Sequence, residues 1–292
     1  MKRFFVMSVA VLAALLWSAS PAAAADLECN GTYSGTFDDV VVPKDGVCNL
    51  NASTVNGGVK VERNGYFEAH GTSVADDVRG KRAQTIFMVD STVDGDIKAK
   101  KTAQVLLFSM TVDGDIKVKR AKDKVNICGV RIVDGDLKVT RSGTDLLIGD
   151  PQAVDCPGNL IQNGDVDVSD NWTDVELVVR GNGIPRGDLT VDDNGGPSDK
   201  FVQDNTGGKT ISCKDNEAPF VGTPNTGFKR YEGQCSPTGQ SGGGHHGDDE
   251  HQHGHHHHGH HHRGDCDRRG DNQNGDDEHH DGDRRRQEQD DD

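Results

Sequence analysis

Ser91–Lys100 reads STVDGDIKAK, and 19 residues later Met110–Lys119 reads MTVDGDIKVK. Near-identical peptides at a fixed short interval constrain a fold strongly, because each copy must meet the same surroundings as the last. Aligned on the order turn, apolar, basic, the copies run as follows. Asp38-Asp39-Val40-Val41, Gly57-Gly58-Val59-Lys60, Asp76-Asp77-Val78-Arg79, Gly95-Asp96-Ile97-Lys98 and Gly114-Asp115-Ile116-Lys117 are each 19 residues apart. Gly135-Asp136-Leu137-Lys138 follows after 21, then the degenerate Gly164-Asp165-Val166-Asp167 and Gly187-Asp188-Leu189-Thr190, for eight copies in all.

A period near 19 is too short for helix-pair repeats. Within each copy the pattern alternates: Val93 and Ile97 read as inward, Asp94 and Lys98 as outward. Period two is the mark of a strand. A lone coil of this length cannot bury its apolar face, whereas stacked coils share a core and pair each other's backbone. The expected fold is therefore all-β: a single-domain parallel β-helix, or solenoid, of ~19-residue coils. One inward ladder is expected at Val55, Val74, Val93, Val112 and Val133. A second is expected at Val59, Val78, Ile97, Ile116, Leu137, Val166 and Leu189. β-branched residues dominate both, as a buried parallel sheet prefers. The Gly of each Gly-Asp corner is expected to supply a positive φ. Eight coils at about 4.8 Å each predict a rod of about 35–40 Å. The alternative, a sandwich of short strands, does not hold near-identical peptides in constant register.

The ends of the chain read differently. Lys2 and Arg3 precede an apolar run from Phe4 to Trp17, and SPAAAA follows at Ser20–Ala25. This is the pattern of a secretory signal peptide over residues 1–25, too short to span a bilayer with these flanks. No other stretch is apolar enough to cross. The solenoid is assigned to 26–236 and a disordered tail to 237–292, where almost nothing apolar remains. Export implies an oxidising compartment, so the seven cysteines read as a disulfide framework with one left over. Cys29 and Cys48 are one coil apart, Cys128 and Cys156 flank an elongated coil, and Cys213 and Cys235 lie at the end of the repeat. Cys266, in the charged tail, is the expected spare.

The formal net charge is −16. Residues 237–292 hold 15 Asp and Glu against 6 Arg, a net charge of −9. That balance excludes nucleic acid as an expected partner, which calls for a basic footprint. The stretch HHGDDEHQHGHHHHGHHH carries 11 histidines: His245, His246, His251, His253, His255, His256, His257, His258, His260, His261 and His262. Neutral imidazole ligates zinc, nickel and copper, and Asp248, Asp249 and Glu250 can complete a site. Flexible spacing implies several ions held with little selectivity, and no cofactor that the fold requires.

On the rod, Asp77, Asp96, Asp115, Asp136, Asp165 and Asp188 form an outward acidic column beside a basic column at Lys60, Arg79, Lys98, Lys117 and Lys138. Such columns suit a sugar- or calcium-binding face, but mutual neutralisation on a solvated face is the expected outcome. A catalytic site would interrupt the repeat, and the sequence displays no interrupted cluster. His70 is the one histidine before the tail and reads as a surface-loop residue. Three glycosylation sequons, at Asn30, Asn51 and Asn171, are expected to be chance. Arg263-Gly264-Asp265 and Arg269-Gly270-Asp271 follow from a tail rich in those residues.

ECNGTYSGTFDDVVVPKDGVCNLNASTVNGGVKV, the Val-Asp-Gly-Asp repeats and SCKDNEAPFVGTPNTGFKRYEGQC together resemble a family of secreted bacterial repeat proteins. The resemblance covers roughly Glu28 to Cys235. It implies a short-coil β-solenoid at the cell surface and no established activity. A more distant likeness is to bactofilins, cytoplasmic solenoids that polymerise. The function expected is an exported, non-enzymatic surface or matrix rod whose tail binds divalent metal ions. The alternative is an adhesion or self-assembly module that binds polysaccharide through the solenoid face. A polysaccharide-active enzyme is the third reading.

Overall fold

A computed structural model describes residues 25–153 and 156–237. Every regular element in it is a strand. Each coil gives one strand to each of three parallel sheets, of 11, 10 and 9 strands. One coil runs Ile97–Lys100, Gln104–Phe108 and Thr111–Val112 before Ile116–Lys119 begins the next. The chain is thus a parallel β-solenoid, as the repeat implies.

The inward ladder of the 11-stranded sheet is the one expected. Val59, Val78, Ile97, Ile116, Leu137, Val166 and Leu189 pair in sequence and all are buried. The count of eight coils is too low. Leu27–Glu28 precedes the first copy, and Thr210–Cys213 and Arg230–Gly233 follow the last. Ten intervals of about 4.8 Å give a rod of roughly 48 Å. The three added strands lack the Gly-Asp corner, so the motif cannot reveal them. The other ladder needs one correction. Val112 pairs with Ile132, not Val133, and Val133 turns partly outward. An extra residue between Ile132 and Gly135 slides the motif by one position.

The corner glycines are required for space, not for φ. Gly57, Gly95, Gly114, Gly135, Gly164 and Gly187 are all absent from the positive-φ residues. A Cβ on Gly114 would strike Oδ1 of Asp96, and one on Gly164 would strike the carbonyl of Gly135. Left-handed turns fall instead at the other two corners: leaving the 10-stranded sheet, where Ala52, Asp90, Ser109 and Asp204 alternate with glycines, and entering it. At the entering corner Asp45, Asn64, Arg82, Lys101, Arg120, Arg141, Asp170, Asp193 and Asp215 all have φ between 52° and 61°.

Two columns of buried asparagines support the C-terminal half. Asn171, Asn194 and Asn216 stack in one corner, and Asn159, Asn182, Asn205 and Asn225 in another. Asn194 shows the pattern. Its Oδ1 accepts the backbone N–H (3.2 Å) and the side-chain amide (2.9 Å) of Asn171. Its own amide donates to Val168 O at 2.9 Å and to Asn216 Oδ1 at 2.9 Å. Every donor at the turn thereby has an acceptor without water, which a buried corner demands. Some earlier coils meet the same need with smaller residues. Ser91 Oγ accepts the N–H of Thr72, and Ser142 Oγ that of Ala121.

Three disulfides join neighbouring coils: Cys29–Cys48, Cys128–Cys156 and Cys213–Cys235, with Cα separations of 5.2, 4.8 and 5.3 Å. The first and last staple the two ends of the stack, and the middle one holds the long coil. They point to an oxidising environment. No helix among the described residues is long and apolar enough to cross a membrane.

Asn194→Ala strands the buried backbone and side-chain donors of Asn171 on one neighbouring coil and removes a donor from Asn216 Oδ1 on the other. We expect a loss on the order of 3 kcal/mol, measured by denaturant unfolding, against little change for Asn163→Ala on the exposed surface.

Candidate functional site

The outward Asp column is chiefly structural. Each Oδ1 accepts the backbone N–H at the same corner of the next coil. Asp77 takes that of Asp96, Asp96 that of Asp115 and Asp115 that of Asp136, each at 2.7 Å. Asp136 and Asp165 continue the series, and Asp188 closes it on Thr210. Asp39 begins it with Gly58. The second oxygens face the basic column. Arg79 reaches Asp77 at 2.5 Å, Lys98 reaches Asp96 at 2.6 Å, and Lys117 reaches Asp115 at 2.5 Å. Lys138 pairs with Asp167 one coil on, and Lys60 turns to Glu62 at 3.0 Å. The expected neutralisation holds at Asp77, Asp96 and Asp115, whereas Asp136, Asp165 and Asp188 form no ion pair among the described residues. Among the described residues no group of three or more His, Cys, Asp or Glu is arranged to hold a metal ion.

Charge balance follows from these partners. Burial by itself would raise the Asp77 carboxyl. The N–H of Asp96, with Arg79 and Lys98, outweighs it and holds the group below its ordinary value. Asp115 is lowered in the same way, burial being outweighed by the N–H of Asp136 and by Lys117. Lys98 and Lys117 are raised, chiefly by their bonds to Asp96 and Asp115.

His70 is not in a loop. It ends the strand Tyr66–His70, with Nε2 2.7 Å from Glu68 Oε1 and its ring edge-on to Phe87. Asn171 of the third sequon is 1% exposed and belongs to the asparagine column. The metal-ligand candidates His245 to His262, the spare Cys266 and the signal peptide lie outside the described residues.

Besides the elongated coil, one strand pairing among the described residues breaks register, at a place the sequence pattern did not single out. Strand Gly143–Ile148 pairs with the nine-residue strand Trp172–Arg180 through a register shift between Gly143 and Asp145. Trp172 and Val175 stand 56% and 65% exposed there. Inserted residues must loop out when the flanking rungs keep register. Glu176 lies beside Asp145 in the ladder, and burial, then Asp145 and Asp150, raise its carboxyl. Asp145 is engaged by Lys124 at 3.0 Å. The buried Lys200 donates to the carbonyls of Gly196 and Ser198 at 2.8 and 3.0 Å. Arg180 lies over Phe201 and pairs with Asp150 at 3.1 Å. These contacts stabilise an irregular coil.

A second basic column lies beside the expected one, at Lys81, Lys100 and Lys119, with Arg82, Lys101 and Arg120 directly after them at the left-handed turn. Its signal in the sequence is the doublet Lys-Arg, Lys-Lys, Lys-Arg recurring every 19 residues.

Comparison with protein-family models, with curated proteins and with solved structures finds no match. The solenoid fold implied by the resemblance to secreted repeat proteins is present. Membership of that family, and the likeness to bactofilins, rest on the motifs alone.

Asp115→Ala removes the acceptor for the Asp136 N–H and the partner of Lys117, and should cost roughly 1–3 kcal/mol. Asp115→Asn keeps the acceptor and should cost less. Asp77 and Asp115 have folded pKa values below the unfolded 3.8, so their contribution is complete above that value and is lost as pH falls through the folded one. Thermal melting should therefore drop below about pH 4, less steeply in Asp115→Asn. A melting temperature that is flat down to about pH 2 contradicts this assignment.

Proposed function

We propose that the chain is an exported, non-enzymatic structural rod that carries a metal-binding histidine segment. One observation supports the rod: its outward carboxylates are committed to holding successive coils together. Acidic side chains used as backbone acceptors are poorly placed to do acid–base chemistry, because each is fixed, and Asp77, Asp96 and Asp115 are also ion-paired. The disulfides across both ends favour export, since such bonds persist in oxidising compartments. On the motifs quoted above, the chain is proposed to sit with the secreted bacterial repeat solenoids. The metal reading is supported by the density of imidazoles between His245 and His262, with carboxylates at Asp248, Asp249 and Glu250 among them. Zinc, nickel and copper are the ions such ligands favour. In this reading the rod is a rigid spacer and the tail captures or buffers ions outside the cell.

Calorimetric titration with zinc and nickel tests it on the mature chain and on a chain ending at Ser236. Several ions should bind to the full chain alone at about pH 7.5, with proton release. Binding should be lost at about pH 5.5, below the imidazole pKa of about 6.5. Equal, weak binding by both chains would sink the metal reading.

A further inference from the structure

Three successive coils carry an excess of cations at one corner. Residues 79–82, 98–101 and 117–120 hold nine Lys and Arg and no Asp or Glu, in a chain of net charge −16. Three of the nine, Arg79, Lys98 and Lys117, are ion-paired within the Asp column. The other six, Lys81, Arg82, Lys100, Lys101, Lys119 and Arg120, form no ion pair among the described residues. Three carboxylates bordering them are engaged elsewhere. Asp45 meets Lys44 and Asn64, Glu62 meets Lys60, and Asp170 meets Arg141.

The backbone sharpens the point. The left-handed turn costs little for Asn or Asp and more for a long side chain. Asp45, Asn64, Asp170, Asp193 and Asp215 follow that rule at the two ends of the rod. Arg82, Lys101, Arg120 and Arg141 break it in four consecutive coils between them, with φ of 61°, 58°, 59° and 55°. A residue kept at an unfavourable conformation, where its neighbours use a favourable one, signals a role for the side chain. A groove of about 480 Å³ opens at the same place, lined by Arg82, Lys101, Gln84 and the small Ala83 and Ala103.

We propose that this corner binds a linear acidic polysaccharide, with a carboxylate on each sugar, laid along the rod axis. Cations repeat there at the coil spacing of about 4.8 Å, close to the length of one sugar in an extended chain. The row therefore meets one charge per coil. No aromatic side chain lines the groove, so the stacking platform that single-stranded nucleic acid uses is lacking there. The row adjoins the Asp–Lys columns on the outward face of the 11-stranded sheet, and it is independent of the metal reading.

The turn rule supplies a test that separates folding from binding. Arg82→Asn, Lys101→Asn and Arg120→Asn together install the residue that Asn64 already provides one coil earlier. The full mature chain is used, with a chelator present so that metal on the histidines adds no charge. Probes are polygalacturonate, neutral dextran and single-stranded DNA of matched charge. We expect the wild type to bind polygalacturonate, more weakly as salt rises, and to ignore dextran. The triple variant should melt no lower than wild type, bind at least about tenfold more weakly and show a shallower salt dependence. A control with Lys44→Asn, Lys209→Asn and Lys229→Asn, equal in charge change, should bind as wild type. The proposal is overturned if wild type does not bind polygalacturonate, if the triple variant binds unchanged, or if the control loses as much. Equal or tighter binding of the DNA overturns it as well.

Discussion

A parallel solenoid must satisfy its backbone at the corners. Along each face the ladder supplies donors and acceptors automatically, but where the chain turns from one sheet to the next that pairing lapses. The remedy here is a side chain one coil away. The Asp column passes acceptors forward, with Asp77, Asp96 and Asp115 each receiving the N–H of the following coil. The asparagine columns pass them backward: Asn194 receives the N–H of Asn171, and Asn205 that of Asn182. The difference in residue type follows from burial. The Asp corner borders solvent and basic side chains, so a charge is tolerable. Asn194 and Asn205 are wholly buried, and a neutral amide avoids the cost of an isolated charge while adding two donors.

Those ladders also explain the glycines. Asp96 Oδ1 can reach the Asp115 N–H only if nothing projects from Gly114, where a Cβ would meet that oxygen. Gly and Asp therefore recur as a unit because one makes room for the other. At the left-handed corner entering the 10-stranded sheet the outward side chain makes no such contact with the core. Its chemistry is open to variation, and in the middle coils it becomes Lys or Arg.

Much of the rod is legible in the sequence. Strict alternation around Val93 and Ile97 gives the strand, and the 19-residue interval gives the stack and seven rungs of its main ladder. What is hidden is hidden for physical reasons. The strands at Leu27, Thr210 and Arg230 carry no Gly-Asp signature of their own, although Asp188 accepts the Thr210 N–H. Ile132 replaces Val133 because one inserted residue moves the motif without moving the ladder. The asparagines look like ordinary polar loop residues until the fold turns them inward, although Asp170-Asn171, Asp193-Asn194 and Asp215-Asn216 recur at nearly constant spacing. Of the candidate sites, the Asp–Lys columns are where the pattern puts them, and they neutralise each other at Asp77, Asp96 and Asp115. The His245–His262 cluster is a statement of composition, to which the rod adds nothing.

Side-chain acceptors, not water, complete the corners, and residue-resolved hydrogen exchange in the native state tests this directly. The corner amides of Asp96, Asp115, Asp136, Asn171 and Asn182 should be protected as strongly as strand amides such as Val105 and Leu107, and should open only with the whole rod. Exchange at those corner amides orders of magnitude faster than in the strands would show that solvent reaches them, and would contradict the account.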